Sequence, residues 1–474
     1  MRTPRPPLRR GTDVDARRHG QNSADRMTSS SDLAESRPDP ESSANPVRAM
    51  LRSFRARIVS MPFSAVAGLV MSAFIIDEAG PDAYGYVILV ATLFFLLPFA
   101  EMGVQAAVTN AIADSTDPTS DDHVSRVLVT SLRTLCVSAV TVIAVAVLLG
   151  VTGMWAQLLS IPLDVYPDAN TVVAASVCIY AAGLPATIGL AILWGLGRNE
   201  IAVLLSVITP VAALVICVLL RHAGVAPLWY SIAQPAGLGL CAIVTTLVAA
   251  RVGGFHPARW LTVLPMRRSF PGVPIRTRAG PALVVLVALP FIIQSDRFIV
   301  SHRGTPEQLA SLALAAQLYM PLWTVAYTAG QPLWPQFSRR RNAGGDLWSL
   351  WRRSTMALAL LGVVMGTGMV LLGPPVAGLV GGDAVVVSTA LFGALALLLL
   401  VQASHMPAWM GLTTPTGLRF HAGCVVAAVV LKLSLAWTIT PYLGALGPVA
   451  ASILAIGLCM FVPGVWAMHR RLAG

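Results

Sequence analysis

Charge is scarce in this chain. Of 474 residues, 12% are Asp, Glu, Lys or Arg, while 55% are hydrophobic. Soluble globular proteins carry about 25% charged residues, so an ordinary soluble enzyme is excluded. Lysine is scarcer still, because Lys432 stands alone among 33 basic residues. The cysteines Cys136, Cys178, Cys217, Cys241, Cys424 and Cys459 form no CxxC and have no histidine at metal-ligand spacing. They read as small unpaired thiols in apolar segments. P-loop, HEXXH, GxSxG and paired catalytic acids on loops are missing too. Walker-type ATP hydrolysis and the common hydrolytic chemistries therefore have no foothold, and neither an enzyme nor a bound cofactor or metal is expected. GLGLCA (237–242) fits GxGxxA but lies mid-span with no strand before it, which suits helix packing.

Long apolar runs fill the space left by charge, and mean hydropathy is +0.71. Runs of about 20 residues suit a hydrocarbon core of about 30 Å. They fall at 58–76, 83–104, 127–150, 171–194, 201–220 and 228–250, then at 280–300, 308–334, 354–373, 384–406, 418–439 and 447–468. The expected fold is an all-α integral membrane protein of twelve transmembrane helices, six and six. Its parts are a cytoplasmic tail (1–50), a first lobe (51–250), a basic cytoplasmic linker (251–279) and a second lobe (280–474). With the N-terminus inside, twenty arginines fall on the cytoplasmic side and only Arg221 and Arg303 on the other. That bias puts both termini in the cytoplasm. It also accounts for the net charge of +11 without nucleic acid as a partner.

The tail is polar and poor in aromatics, a composition that cannot bury enough apolar surface to order itself. Prolines sit within spans at Pro98, Pro185, Pro210, Pro235, Pro290, Pro321 and Pro332, where helices can bend. Gly362 and Gly366 form a GxxxG suited to close helix approach. Trp348 and Trp351, beside Arg352 and Arg353, read as an interfacial helix on the cytoplasmic face. Met154, Trp155, Leu158 and Leu159 read as its outer counterpart. GPDAYGYVILVATLFFL (80–96) and TPEQLASLALAAQLYMP (305–321) echo each other, each opening a span with proline and an acid.

Charge inside an apolar span costs roughly 2.5–3.5 kcal/mol per residue, so it marks function or an internal partner. Glu101 and Arg133 fall in the inner third of consecutive spans, as a pair or snorkelling to the interface. Asp296 and Arg297 lie about 26 Å along the seventh span, and Lys432 about 20 Å along the eleventh. An ammonium there must face a wet cavity, meet an acid or a lipid phosphate, or lose its proton. Asp296 is the nearest acid in depth. Gln234, Gln294, Gln317, Gln402 and His405 add polar lining.

Four stretches carry a family resemblance: GPDAYGYVILV (80–90), AEMGVQAAVTNAIA (100–113), DRFIVSHRG (296–304) and PLWPQFSR (332–339). Through them the chain resembles the polysaccharide-transport flippases of the multidrug/oligosaccharidyl-lipid/polysaccharide superfamily. Glu101-Met102-Gly103 stands where that family often has Asp-Leu-Gly. The resemblance implies a MATE-like V-shaped bundle in a bacterial plasma membrane, serving synthesis of cell-surface polysaccharide. Its cargo would be a polyprenyl-diphosphate-linked oligosaccharide, moved to the outer leaflet by alternating access, with lipids and a coupling cation as further partners. The cavity candidates are Lys432, Arg297, Asp296, Arg133, Glu101, Gln294 and Gln317. A drug or cation exporter of the same superfamily is the alternative, and it predicts a cavity dominated by acids. A membrane glycosyltransferase or polymerase would need a catalytic acid or base in a large outer loop, where 151–170 offers only Asp164 and Asp168.

Overall fold

Gly80 ends one helix and Pro81 begins the next, which sets the pattern for the whole chain. A computed structural model of the protein describes residues 46–95, 97, 104–256, 260, 262, 264, 266, 280–412 and 414–473. Residues 1–45 of the expected tail, Pro98, Glu101 and most of the basic linker lie outside the described residues. Helix α1 (Pro46–Ala79) begins inside the stretch assigned to the tail. It stops where Gly80 takes φ +85°, a left-handed conformation open to glycine. Helix α2 (Pro81–Phe95) then starts with proline, which needs no hydrogen-bonded N–H there, and with Asp82 in its first turn facing the helix dipole.

Within the span expected at 83–104 the described residues are helical to Phe95 in α2, and helix α3 (Val104–Ala113) begins at that span's expected last residue. Asp121 caps α4 (Asp122–Val151), accepting from the backbone N–H of His123 at 2.8 Å. The short α5 (Met154–Leu159) buries Trp155 and Leu159 and leaves Met154 and Leu158 exposed, an amphipathic pattern. Pro185 divides the fourth expected span into α6 (Ala169–Gly183), one 3₁₀ turn (Leu184–Thr187) and α7 (Ile188–Gly195). Helices α8 (Asn199–Leu205), α9 (Ile208–His222) and α10 (Ala233–Gly253) complete the first half of the chain.

The second half holds α11 (Gly280–Arg303), α12 (Pro306–Gly330) and α13 (Leu333–Asn342). After them come α14 (Leu347–Gly381), α15 (Thr389–Gly411) and α16 (Pro415–Leu443). The chain closes with α17 (Leu446–Ile456), a π turn (Gly457–Phe461) and α18 (Val462–Ala473). A capping box opens α12: Thr305 Oγ1 accepts from Gln308 N at 3.4 Å, and Gln308 Oε1 accepts from Thr305 N at 3.2 Å. The two echoing stretches therefore both open helices, α2 and α12. The eighth span ends at Gly330, short of the expected 334, because Pro332 caps α13.

Trp348 and Trp351 need a correction. They open the continuous 35-residue α14 and do not lie on a separate interfacial helix. The cause is Asp346, which accepts from the backbone N–H groups of Trp348 at 2.9 Å and Ser349 at 3.1 Å and starts the helix ahead of both rings. The two indoles stack at 4.6 Å between centroids.

Ten helical stretches among the described residues are long and apolar enough to cross a membrane, so the protein is a multi-pass membrane protein. Helices α2 and α11, about 22 and 36 Å long at 1.5 Å per residue, stand where the second and seventh spans were expected. Without water between helices, association rests on close packing of small residues. A Cβ at Gly362 would lie 3.1 Å from Leu400 Cα, and one at Gly366 3.2 Å from the Ala396 Cβ, so the GxxxG seats α14 on α15. Gly237, within GLGLCA, packs against the backbone of α9, where an added Cβ would be 2.5 Å from Thr209 O. The two halves touch where Gly85 of α2 meets α12, with 3.2 Å between a Cβ there and Ala310 N. One apolar core runs through both, taking in Tyr84 and Leu89 as well as Leu314 and Phe392.

Candidate functional site

Helix α11 carries the charge, and its neighbours α16 and α2 decide what becomes of it. It packs along α16, which brings Lys432 opposite Asp296. The Lys432 ammonium is 0% exposed and lies 2.5 Å from Asp296 Oδ1. It also donates to the backbone carbonyl of Ile292, one turn back on α11. An ammonium without water needs such partners, and the depth match between Lys432 and Asp296 in the sequence is realised as contact. Asp296 keeps an open side, with 16% of its side chain exposed.

Arg297 points elsewhere. Its Nη1 donates to Thr92 Oγ1 on α2 at 2.8 Å, a contact between the two halves of the chain. Its Nε is buried without a hydrogen-bond partner, and no ion pair joins it to a carboxylate among the described residues. Asp296, Lys432 and Arg297 together therefore hold one net positive charge, and it sits on the guanidinium. Gln294, Asp296 and Arg297 share a small cavity of about 30 Å³ with Tyr319 and Gln402. Tyr319 donates to Gln402 Oε1 at 2.5 Å, tying α12 to α15.

A second cavity, of about 170 Å³, shares Ile292, Ile293 and Gln402 with the first and is walled by Trp323, Tyr327 and Trp409. A third, of about 410 Å³, lies in the first half, with Phe94 and Tyr180 stacked at 5.0 Å on its wall. It is the largest of the three, but no charged residue lines it. The chemistry is at α11.

The other expected site residues are dispersed. Gln317 packs its amide over Gly68 of α1, in the space a Cβ there would fill, and lines neither cavity at α11. Arg133 Nε donates to Leu264 O at 2.9 Å, well away from Asp296 in the chain and in its partners. Glu101 lies outside the described residues. Thr92, Tyr319 and the ring-lined cavity were not singled out beforehand. A signal for the last was present: Gln402, His405 and Trp409 recur at three- and four-residue spacing on α15, so they share one face. Among the described residues no group of three or more His, Cys, Asp or Glu could hold a metal ion. The six cysteines are unpaired, and only Cys217 is fully buried.

The order of helices, with a charged α11 packed against α16, describes a polytopic helical bundle. No family profile and no curated protein sequence matches this chain. Solved structures do. An inward-facing multidrug resistance MATE family transporter of the MOP superfamily superposes with a TM-score of 0.63, at 14% identity, over 88% of this chain and 98% of that one. Its outward-facing counterpart gives a TM-score of 0.57 at 15% identity, over 91% and 97%. The lipid II flippase MurJ, in an inward closed conformation, gives 0.59 at 13% identity, over 90% and 88%. At such identities the shared property is the fold.

Proposed function

We propose that the protein is a twelve-span transporter whose six-helix lobes, 51–250 and 280–474, rock about the basic linker 251–279. It carries a polyprenyl-diphosphate-linked oligosaccharide from the cytoplasmic to the outer leaflet, with both termini in the cytoplasm. The observation that carries this reading is the net positive charge on Arg297, whose hydrogen-bonding partner among the described residues is the neutral Thr92 hydroxyl. A cation exporter needs surplus acid at this depth, and here the acid, Asp296, is already matched by Lys432. A diphosphate supplies what Arg297 lacks, since a guanidinium fork binds phosphate oxygens in bidentate fashion. Gln294 faces the same cavity, and Lys432 adds a second cation in any state where its pair opens. Recruiting Arg297 to the headgroup would release Thr92, so binding would loosen a contact between the lobes. That links cargo to alternating access. The solved neighbours include a lipid II flippase as well as multidrug transporters.

Complementation of a flippase-deficient strain at matched membrane levels tests it. Arg297→Ala should lower transport by more than tenfold, Arg297→Lys should keep part, and Thr92→Val should keep most. Full activity in Arg297→Ala would falsify the anionic-cargo reading. Drug resistance conferred in its place would favour the exporter.

A further inference from the structure

The ring-lined cavity beside the charged one has no part in holding a diphosphate, yet its wall is built. His405 on α15 is buried, and its Nδ1 lies 2.8 Å from Gln402 O. A carbonyl only accepts, so Nδ1 carries the hydrogen and Nε2 of the neutral ring is a bare acceptor. That Nε2 is buried and has no partner. Leaving a buried acceptor unmatched is costly, which calls for a donor from a guest. Around it stand Trp323 and Tyr327, with centroids 5.9 Å apart, and Trp409. Trp409 is held from behind by His421, stacked at 5.3 Å and 18° between planes.

The guest must therefore offer hydrogen-bond donors and an apolar face together. An organic cation meets ring faces well, but no carboxylate lines this cavity to balance it, and Asp296 across the shared wall is matched by Lys432. A neutral polyol ring meets both demands: hydroxyls for His405 and a C–H face for the indole. The volume of about 170 Å³ falls below the roughly 300–1,000 Å³ of pockets for drug-sized ligands and suits a single ring. Its position agrees, since Ile292, Ile293 and Gln402 belong to both cavities. A sugar here would adjoin a group held at Arg297.

We propose that this cavity is a subsite for one pyranose ring, the sugar joined to the diphosphate of the cargo. His405 Nε2 accepts a sugar hydroxyl, and Trp409 lies against the C–H face of the ring. The assignment rests on the cargo reading above and deepens it.

The test uses the full chain in lipid nanodiscs and soluble headgroup mimics, with UDP compared by calorimetry against UDP-glucose, UDP-galactose and UDP-N-acetylglucosamine. At least one nucleotide sugar should bind about tenfold more tightly than UDP, equivalent to about 1.4 kcal/mol. His405→Leu and Trp409→Ala should erase that factor and leave UDP affinity unchanged, a pattern that a misfolded variant would not give. His405→Gln keeps an acceptor oxygen and should retain part of the preference. UDP binding with no preference for any of the three sugars would overturn the subsite and leave the cargo reading standing. A preference that survives both His405→Leu and Trp409→Ala would also overturn it. So would tetraphenylphosphonium binding that Trp409→Ala abolishes, which would make the cavity a cation site. Absence of UDP binding altogether would strike the diphosphate reading, and the subsite with it.

Discussion

Separating Lys432 from Asp296 should destabilise the protein unequally, depending on which partner is removed. Asp296→Asn leaves an ammonium that is 0% exposed and met only by neutral oxygens, the Ile292 carbonyl and the new amide. Breaking a buried pair in this way costs about 3–5 kcal/mol. Lys432→Met leaves the carboxylate instead, 16% exposed, on a small cavity it shares with Gln294 and Arg297. Its loss should be smaller, about 1–3 kcal/mol, the usual penalty for a buried group that loses its partner. Removing both charges together should return stability to within about 1 kcal/mol of the parent, because neutral groups of similar size often replace a buried pair without loss. The assay is reversible unfolding by SDS from mixed micelles, followed for the parent, both single variants and the double. Additive single effects would refute the reasoning, since residues in contact must couple. So would a Lys432→Met variant less stable than Asp296→Asn.

Two further outcomes follow from packing and from the arginine pattern. Gly68→Val should cost about 1–3 kcal/mol through overpacking, because Gln317 occupies the space its side chain needs. Gln317→Ala should relieve most of that cost in the double variant, and a Gly68→Val protein as stable as the parent would show α1 and α12 standing apart. Reporters fused after Ala279 and after Arg341 should read cytoplasm and one after Arg303 the outside; an outside signal at Ala279 would remove the six-plus-six arrangement.

Helices were legible in this sequence where length and punctuation agree. Gly80-Pro81-Asp82 and Thr305-Pro306-Glu307 announce α2 and α12 because stop, start and dipole signals are local. Lys432 and Asp296 could be matched because depth along a helix follows from residue count, at 1.5 Å each. Helix rotation does not follow from counting. Gln317 reads as cavity lining yet faces Gly68 of α1, while Arg297 lines the small cavity and also reaches across to Thr92 of α2. Apolar residues surround each of these helices, so no polar face marks which side meets protein and which meets lipid. Trp348 and Trp351 misled for a related reason. Aromatic rings beside arginines mark a membrane interface whether they lie on it or begin a span through it.

The meeting of Gly85 with Ala310 has a mechanical consequence. Gly85 lies against the backbone of Ala310 and the side chain of Leu309, so the spot can serve as a fulcrum with little play. Thr92 lies seven residues farther along α2, a lever arm of about 10 Å. Swinging α2 by about 15°, the scale of known domain rotations, would carry the Thr92 hydroxyl about 2.6 Å, since arc length is arm times angle. That displacement nearly equals the whole 2.8 Å from Arg297 to Thr92. A small tilt at the glycine would thus act as a latch release ten ångströms away, and a bulkier residue at Gly85 would jam such a pivot while leaving every charged group untouched.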